Sequence, residues 1–244
     1  MKANGDGFVK AKRWSFTGLK QAETCLRQFH EVRVLKNYPY EATNEEAVWG
    51  RYVHKAFEDR QAVRKELPQD LSQHEPFMQR LEGWEGFFFT EQKVALDKQL
   101  KPVNFFGGDA VWWSGIIDYT KIHNEEHRGR IVDYKTGKRR PEPDQLIQNV
   151  LWGFAMYPEI NIFDCMFYWT QAQERADQPS DGAVDRYVYS RDQIPELWSR
   201  FVAPLGRLFE AYKTDTWPAK PNGLCHGYCP HVKCEHWKVK KEKR

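Results

Sequence analysis

Two short apolar segments that each carry an aspartate constrain this 244-residue chain more than any other feature. They are segments 115–118 (GIID) and 131–135 (IVDYK). Side chains alternate along a strand, so Asp133 and Lys135 should face one side while Tyr134 points the other way, into a core. The polar turn between the segments predicts a hairpin, which would bring Asp118 and Asp133 within reach of one ion.

The close approach of these two carboxylates predicts a cation at the hairpin. Two ionised carboxylates about 4 Å apart repel each other by roughly 4 kcal/mol at an effective dielectric constant of about 20, and one lysine offsets only part of this. Oxygen ligands on a short strand pair suit Mg²⁺ or Mn²⁺ better than zinc. The alternative is an ordinary hairpin whose Asp and Lys side chains are solvated on its exposed face.

The rest of the chain supplies further motifs in a fixed order. They are segments 14–19 (WSFTGL) and 25–29 (CLRQF) of an opening helix, a Gly-x-x-x-His helix from Gly50 to His54, and Gln148 followed four residues later by Trp152. Together with the two strands, these motifs resemble the PD-(D/E)XK nuclease superfamily, most closely its RecB-like branch. That branch includes CRISPR-associated adaptation exonucleases and small phage nucleases. The departures from its pattern are Trp152 for Tyr, Asp133 for Glu and Leu26 for Pro.

The resemblance implies an α/β fold with a PD-(D/E)XK restriction-endonuclease-like core, in which helices flank a central mixed sheet. Periodicity agrees with the core order of helix, three strands, helix and strand, and predicts that segment 76–90 is helical. We expect a single domain over residues 1–244, with a helical N-terminal elaboration and a Cys-rich C-terminal segment. Residues 214–244 would form that metal-binding segment and a basic tail.

The resemblance also assigns roles to individual residues. The implied metal ligands are His54, Asp118, Asp133 and the Tyr134 carbonyl, and the implied catalytic residues are Lys135, Gln148, Asp118 and Asp133. From the sequence alone, His54 could equally be a histidine satisfied at the edge of a core. Gln148 could be an exposed helix amide, with Gln145 as the alternative one turn earlier. Glu91 is a weaker candidate for supporting the metal site.

Cysteines form a second constellation. Three lie within ten residues, at Cys225, Cys229 and Cys234, and Cys25 makes a fourth. Thiolates are soft ligands that suit an iron–sulfur cluster or zinc. By resemblance we expect a [4Fe-4S] cluster on these four cysteines, although the spacings of the last three depart from the family pattern. The alternative is a structural Zn²⁺ bound by the three C-terminal cysteines and one of the neighbouring histidines.

Composition limits the environment and the partners. The net charge is only +3, so a DNA surface must come from local clusters such as Lys138, Arg139 and Arg140. No apolar run has membrane-spanning length, and the N-terminus lacks the apolar stretch of a signal peptide. We therefore expect a cytoplasmic protein of a bacterial or phage-infected cell, without disulfides.

The function expected from these features is that of a Mg²⁺- or Mn²⁺-dependent DNA exonuclease in DNA processing, recombination or adaptation. Partner proteins from recombination or CRISPR adaptation would fit this activity. Two alternatives stay open. One is a structure-specific or single-strand DNA endonuclease, and the other is a DNA-binding subunit that does not cleave.

Overall fold

The computed structural model describes residues 13–38, 45–140, 142–171 and 184–239. The helices are α1 (Phe16–Thr24), α2 (Leu26–Phe29), α3 (Glu45–Val63), α4 (Glu75–Glu82), α5 (Pro143–Met156) and α6 (Ile194–Thr214). The strands are β1 (Phe87–Leu96), β2 (Trp113–His123), β3 (Arg128–Lys135), β4 (Ile162–Trp169) and β5 (Val184–Ser190). Residues 240–244 of the predicted basic tail lie outside the described residues.

The chain divides into two compact units. The larger unit is Ala42–Trp198, and the smaller one combines the N-terminal residues up to 41 with residues 199–244. Among the described residues, no helix is both long enough and apolar enough to cross a membrane.

A five-stranded mixed sheet in the order β1-β2-β3-β4-β5 forms the larger unit. Strands β3 and β4 run parallel, and the other neighbouring pairs are antiparallel. A parallel pair needs a crossover connection, which α5 provides. The predicted mixed sheet with flanking helices, and the order of its elements, are therefore confirmed.

The helix predicted over segment 76–90 was wrong in its second half. Helix α4 ends at Glu82, and strand β1 begins at Phe87. The reason lies in the turn between them, where Gly86 has a φ of +113° and an added Cβ would lie 2.1 Å from the Ile122 carbonyl oxygen. Only glycine adopts this conformation at so close an approach, so the chain leaves the helix there.

Helix α3 packs on one face of the sheet through two fully buried side chains. Val53 and Phe57 join a core cluster that includes Tyr119 of β2 and Tyr134 of β3. The Phe57 and Tyr134 rings meet edge to face, with centroids 4.9 Å apart. Because this contact is fully buried, it fixes the position of α3 over the strands that carry the aspartates.

Helix α5 approaches the sheet closely because two glycines make room for one aromatic ring. The Phe163 ring of β4 is fully buried. A Cβ added at Gly129 of β3 would lie 2.1 Å from this ring, and one added at Gly153 of α5 would lie 2.6 Å from it. The ring thus fills the space that two side chains would otherwise occupy, and it sets the spacing between α5 and the sheet.

Two glycine-to-alanine substitutions in helix interiors should therefore have opposite effects. Helix propensity alone favours alanine by about 1 kcal/mol at both Gly153 and Gly206. The Gly206 position in α6 has open space around it, so Gly206→Ala should raise the free energy of unfolding. Gly153→Ala should lower it, because overpacking against Phe163 costs about 1–3 kcal/mol.

Urea unfolding of the two variants and the wild type measures both effects. A Gly153→Ala variant as stable as Gly206→Ala would contradict the close approach of α5 to the sheet.

Candidate active site

Strand β2 changes the face to which its side chains point at Asp118. Gly115 faces α5, since a Cβ there would lie 2.1 Å from the Trp152 ring, whereas Tyr119 packs in the core beneath α3. An even separation in sequence places two side chains on the same face of a regular strand, so the alternation is interrupted between them. Opposite Asp118, Glu91 of β1 has a φ of +46°, which is rare for a glutamate. Backbone strain of this kind clusters at functional sites.

The interruption brings three ligand groups together. One ligand atom each of His54, Glu91 and Asp118 lies within 4.8 Å of the other two. His54 Nδ1 is 3.5 Å from Asp118 Oδ1 and 3.7 Å from Glu91 Oε1. Among the described residues, no other group of three or more His, Cys, Asp or Glu side chains is as close. The sequence predicts only a supporting role for Glu91, because the approach of Glu91 to Asp118 depends on the pairing of β1 with β2.

Backbone contacts orient two members of this group. The Tyr134 N–H donates to Asp118 Oδ2 at 2.8 Å. The Tyr134 carbonyl oxygen lies 3.1 Å from His54 Nε2, and a carbonyl can only accept, so Nε2 carries the donated proton. The other ring nitrogen, Nδ1, therefore faces the carboxylates. Gly50 permits this placement, because an added Cβ would lie 3.1 Å from Thr136 Oγ1.

The two carboxylates control the protonation of His54. Burial lowers the pKa of its imidazole, but the hydrogen bonds to Asp118 and Glu91 outweigh burial and raise the pKa to about 10. A proton therefore occupies the point where the three ligand groups meet. A divalent cation would compete with that proton for Nδ1, as metals do at histidine ligands.

Lys135 lies beside this group and is held from two sides. Its Nζ is 2.6 Å from Asp133 Oδ1 and donates to Gln145 Oε1 at 2.6 Å. The same ammonium lies 5.1 Å from the centre of the Phe167 ring. About a quarter of the Lys135 side chain remains exposed, so a bound molecule can reach it.

Asp133 is almost completely buried. Burial raises the pKa of its carboxyl above the usual range; Lys135 opposes this effect, and Asp118 adds to it. Asp133 is therefore electrostatically linked both to the His54–Glu91–Asp118 group and to the lysine. The predicted strand geometry holds here, since Asp133 and Lys135 contact each other while Tyr134 packs in the core.

The structure separates the two glutamines that the sequence left as alternatives. Gln148 is buried, and its side-chain oxygen accepts a hydrogen bond from Trp113 Nε1 at 3.1 Å. Gln145, one turn earlier on α5, contacts Lys135 instead. The spacing in the sequence fitted both residues, and the rotation of α5 against β2 and β3 decided which of them meets the lysine.

The basic segment that follows β3 is partly engaged within the protein. The Arg139 guanidinium pairs with both carboxylate oxygens of Asp185 on β5, and Asp185 also accepts from Trp169 Nε1 at 2.6 Å. Lys138 and Arg140 are exposed on either side of it. For Arg139, the predicted contact with DNA would compete with this internal ion pair.

The smaller unit brings together the four cysteines named from the sequence. Cys25, Cys225, Cys229 and Cys234 line one pocket, together with His231 and His236. All four are free thiols. Burial raises the pKa of Cys229, and the three neighbouring thiols raise it further. Mutual repulsion of this kind is what a bound metal or cluster relieves.

The contacts around these cysteines join distant parts of the chain. The backbone N–H of Lys220 points to Cys25 Sγ at 3.4 Å, and Arg27 Nε donates to the Trp217 carbonyl at 2.9 Å. The buried His231 Nδ1 has no hydrogen-bond partner among the described residues. His231 also lines the cysteine pocket, so this unpaired nitrogen keeps a histidine ligand open.

Comparison with known proteins places this geometry in a family. The sequence model of the PD-(D/E)XK nuclease superfamily matches residues 13–234. No curated protein matches the sequence.

One solved structure resembles the fold. A protein assigned as an exonuclease in Eubacterium rectale superposes with a TM-score of 0.50 at 12% identity, covering 100% of this chain and 96% of that one. The protein SSO0001 aligns with a TM-score of 0.41 at 16% identity, covering 98% of this chain and 91% of that one. At such low identity, the first similarity concerns the fold alone.

The match to the family model extends over nearly the whole chain and includes both aspartate strands, His54 and all four clustered cysteines. The mixed sheet and the group of metal-ligating side chains agree with it. The chain belongs to the PD-(D/E)XK nuclease superfamily.

Proposed function

We propose that this protein is a Mg²⁺- or Mn²⁺-dependent DNA exonuclease. One observation carries the proposal: the convergent His54–Glu91–Asp118 group lies next to a lysine that is held by a carboxylate and an amide. A nuclease must neutralise the charge that develops on a phosphate and must place a water in line with the leaving oxygen. A metal site beside a fixed ammonium supports both tasks.

His54, Glu91 and Asp118 would hold the metal, with Asp133 and the Tyr134 carbonyl as adjoining ligands. One imidazole nitrogen and carboxylate oxygens suit Mn²⁺ and Mg²⁺. When bound, such an ion polarises a phosphoryl oxygen and lowers the pKa of a coordinated water. The chain fits this ion because three carboxylates, those of Glu91, Asp118 and Asp133, gather around only one imidazole and one ammonium.

Lys135 would act on the phosphate directly. Its ammonium is partly exposed and lies beside the metal group, where it can stabilise the additional negative charge of the transition state. The Asp133 carboxylate pairs with this ammonium, and Gln145 Oε1 fixes its direction by accepting a hydrogen bond from it. In this arrangement Gln148 supports the site indirectly, by holding Trp113 against α5.

Exonuclease activity is supported by the fold shared with the Eubacterium rectale protein, which is assigned as an exonuclease. DNA as the substrate, and a place in recombination or CRISPR adaptation with partner proteins, follow from the RecB-like motifs. Cleavage within a strand, or binding without cleavage, are the competing outcomes of the tests below.

We further propose that the four cysteines bind a [4Fe-4S] cluster rather than zinc. Tetrahedral zinc with bonds of about 2.3 Å holds its sulfur ligands about 3.8 Å apart. In the described part of the chain, no three of the pocket's thiols and histidines have ligand atoms within 4.8 Å of one another. This wider spacing supports the larger iron–sulfur cluster, which places metal and sulfide atoms between its thiolates.

The function is tested with end-labelled linear DNA, single-stranded and duplex, and with covalently closed circles of the same sequence. In Mg²⁺ or Mn²⁺, we expect linear DNA to be degraded to short products while the circles survive, because an exonuclease needs a strand end. Rapid loss of circular single strands would indicate an endonuclease. Binding without any cleavage would indicate a non-cleaving subunit.

Lys135→Ala should reduce the cleavage rate by about a thousandfold, because loss of roughly 4 kcal/mol of transition-state stabilisation has that effect. DNA affinity should stay within a few-fold of the wild type, as measured by fluorescence anisotropy. The matched control is Lys98→Ala, which removes an exposed lysine from the turn after β1 and should cleave normally. Unchanged turnover in the Lys135 variant would remove this residue from the mechanism.

The cluster is tested by colour, metal content and stability. Protein purified without oxygen should be brown, with broad absorbance near ~400 nm and bound iron, whereas zinc is colourless in that range. Cys25→Ser should lower iron content and unfolding free energy together, because the cluster closes a long loop between the chain ends. Cys165→Ala removes a buried thiol of β4 and should leave the iron in place. Colourless protein whose zinc survives Cys25→Ser would refute the cluster.

A further inference from the structure

A strip of exposed side chains continues from the metal group along the β1–β2 ribbon. The next pair of residues on this side is Lys93 and Ile116, which lie opposite each other in the ladder. Lys93 is exposed, and Ile116 is 44% exposed. Two residues along a strand span about 7 Å, so Lys93 follows Glu91 closely.

The ladder shows which way this pair faces. The adjacent pair is Val94 and Gly115, and it faces α5, because a Cβ at Gly115 would meet the Trp152 ring. Neighbouring pairs alternate, so Lys93 and Ile116 face away from α5. His54 reaches Glu91 and Asp118 from α3, on that same side of the sheet. The cation and the metal group therefore share one surface.

Phe106 extends this surface. Its ring is 77% exposed, the highest fraction among the large hydrophobic side chains of the described residues. The Lys93 ammonium lies 5.2 Å from the centre of that ring. An aromatic face paired with a cation matches the two parts of a nucleotide, its base and its phosphate.

The Phe106 ring is presented by a rigid turn. The Phe106 N–H donates to Asn104 Oδ1 at 2.8 Å, and the Gly107 N–H donates to the Asn104 carbonyl at 2.9 Å. A Cβ at Gly107 would lie 2.8 Å from that carbonyl oxygen, so the turn requires glycine. The backbone that presents the exposed ring is thus ordered before any ligand binds, which reduces the entropy that binding would cost.

We propose that Lys93, Ile116 and Phe106 form a binding site for one unpaired nucleotide, next to the phosphate at the metal group. The base stacks on Phe106, Ile116 contacts the sugar, and Lys93 binds the phosphate. Stacking requires a free base face, so the strand is single at this point. The inference rests on the proposed function, because it takes the metal group as the position of the scissile phosphate.

Binding is measured by fluorescence anisotropy with single-stranded and blunt duplex oligonucleotides of one sequence. Every protein in the series carries Lys135→Ala and is measured without added divalent metal, so that cleavage does not interfere with binding. Phe106→Ala should raise the Kd for single strands about tenfold, in keeping with the measured range for base–aromatic stacking. The Kd for duplex should change less than twofold. Phe106→Trp should keep the affinity, and Val63→Ala, which removes another highly exposed apolar side chain at the end of α3, should have no effect.

Two further measurements identify the two halves of the site. A single abasic nucleotide at one position of the oligonucleotide should weaken binding to the parent protein, which retains Phe106, about tenfold. The same abasic nucleotide should not weaken binding further when the protein carries Phe106→Ala. Lys93→Ala should reduce the slope of log affinity against log salt by about 0.7, as loss of one phosphate contact to a single strand does.

The inference fails if Phe106→Ala binds single strands as well as its parent does, or if it loses single-strand and duplex affinity equally. These outcomes are independent of catalysis. Wild-type protein that cleaves no DNA but shows the expected binding pattern would refute the proposed function and leave this binding site standing.

Discussion

The Asp118 carboxylate is the contact on which the rest of the site depends. The pairing of β2 with β3 ends at Tyr119 and Val132, so Asp118 lies just beyond the backbone hydrogen bonds between these strands. One oxygen of Asp118 accepts the Tyr134 N–H, which the ladder no longer pairs, and the other faces His54. A single side chain thus replaces a missing backbone contact and joins two strands to α3. An unmade backbone hydrogen bond in a buried position would otherwise be costly.

Electrostatics explain why this arrangement suits a cation. Three carboxylates, Glu91, Asp118 and Asp133, gather around one imidazole and one ammonium in a half-buried position. Burial is the main cause of the raised pKa of Asp133, and the Asp118 carboxylate adds to it, while Asp118 and Glu91 raise the pKa of His54. Both groups therefore feel the neighbouring negative charge. A divalent ion relieves the surplus more effectively than a proton does. The strained backbone at Glu91 has a natural explanation in the same demand, since it places a second carboxylate at this point.

The smaller unit also gathers side chains from distant parts of the chain, in this case thiols. Residues about 200 positions apart in the sequence are joined there by ordinary hydrogen bonds, such as those from Arg27 to Trp217 and from Asn222 to Thr24. Four free thiols then meet around one pocket. Free thiols collected in this way gain little from packing alone, whereas a bound metal centre converts their proximity into stability.

The sequence by itself determined the class of the fold and the family. Alternation around Asp133, the apolar strands and the order of the motifs were sufficient for the mixed sheet and for the family, because these signals depend on neighbours in the chain. The cysteine set was visible for the same reason. The end of α4 was missed, because a left-handed glycine at Gly86 and its contact with β2 overrode the apolar periodicity.

Only the tertiary structure decided which side chains meet. Glu91 lies close to His54 and Asp118 because the regular alternation of side chains is interrupted in β1 at Glu91 and in β2 at Asp118, which lies opposite. No local sequence pattern reveals this interruption. Gln145 rather than Gln148 reaches Lys135 because the Phe163 ring and two glycines set the position of α5. Arg139 is drawn to Asp185 by the pairing of β4 with β5. Each of these contacts joins residues far apart in the chain, and their distances follow from packing rather than from sequence spacing.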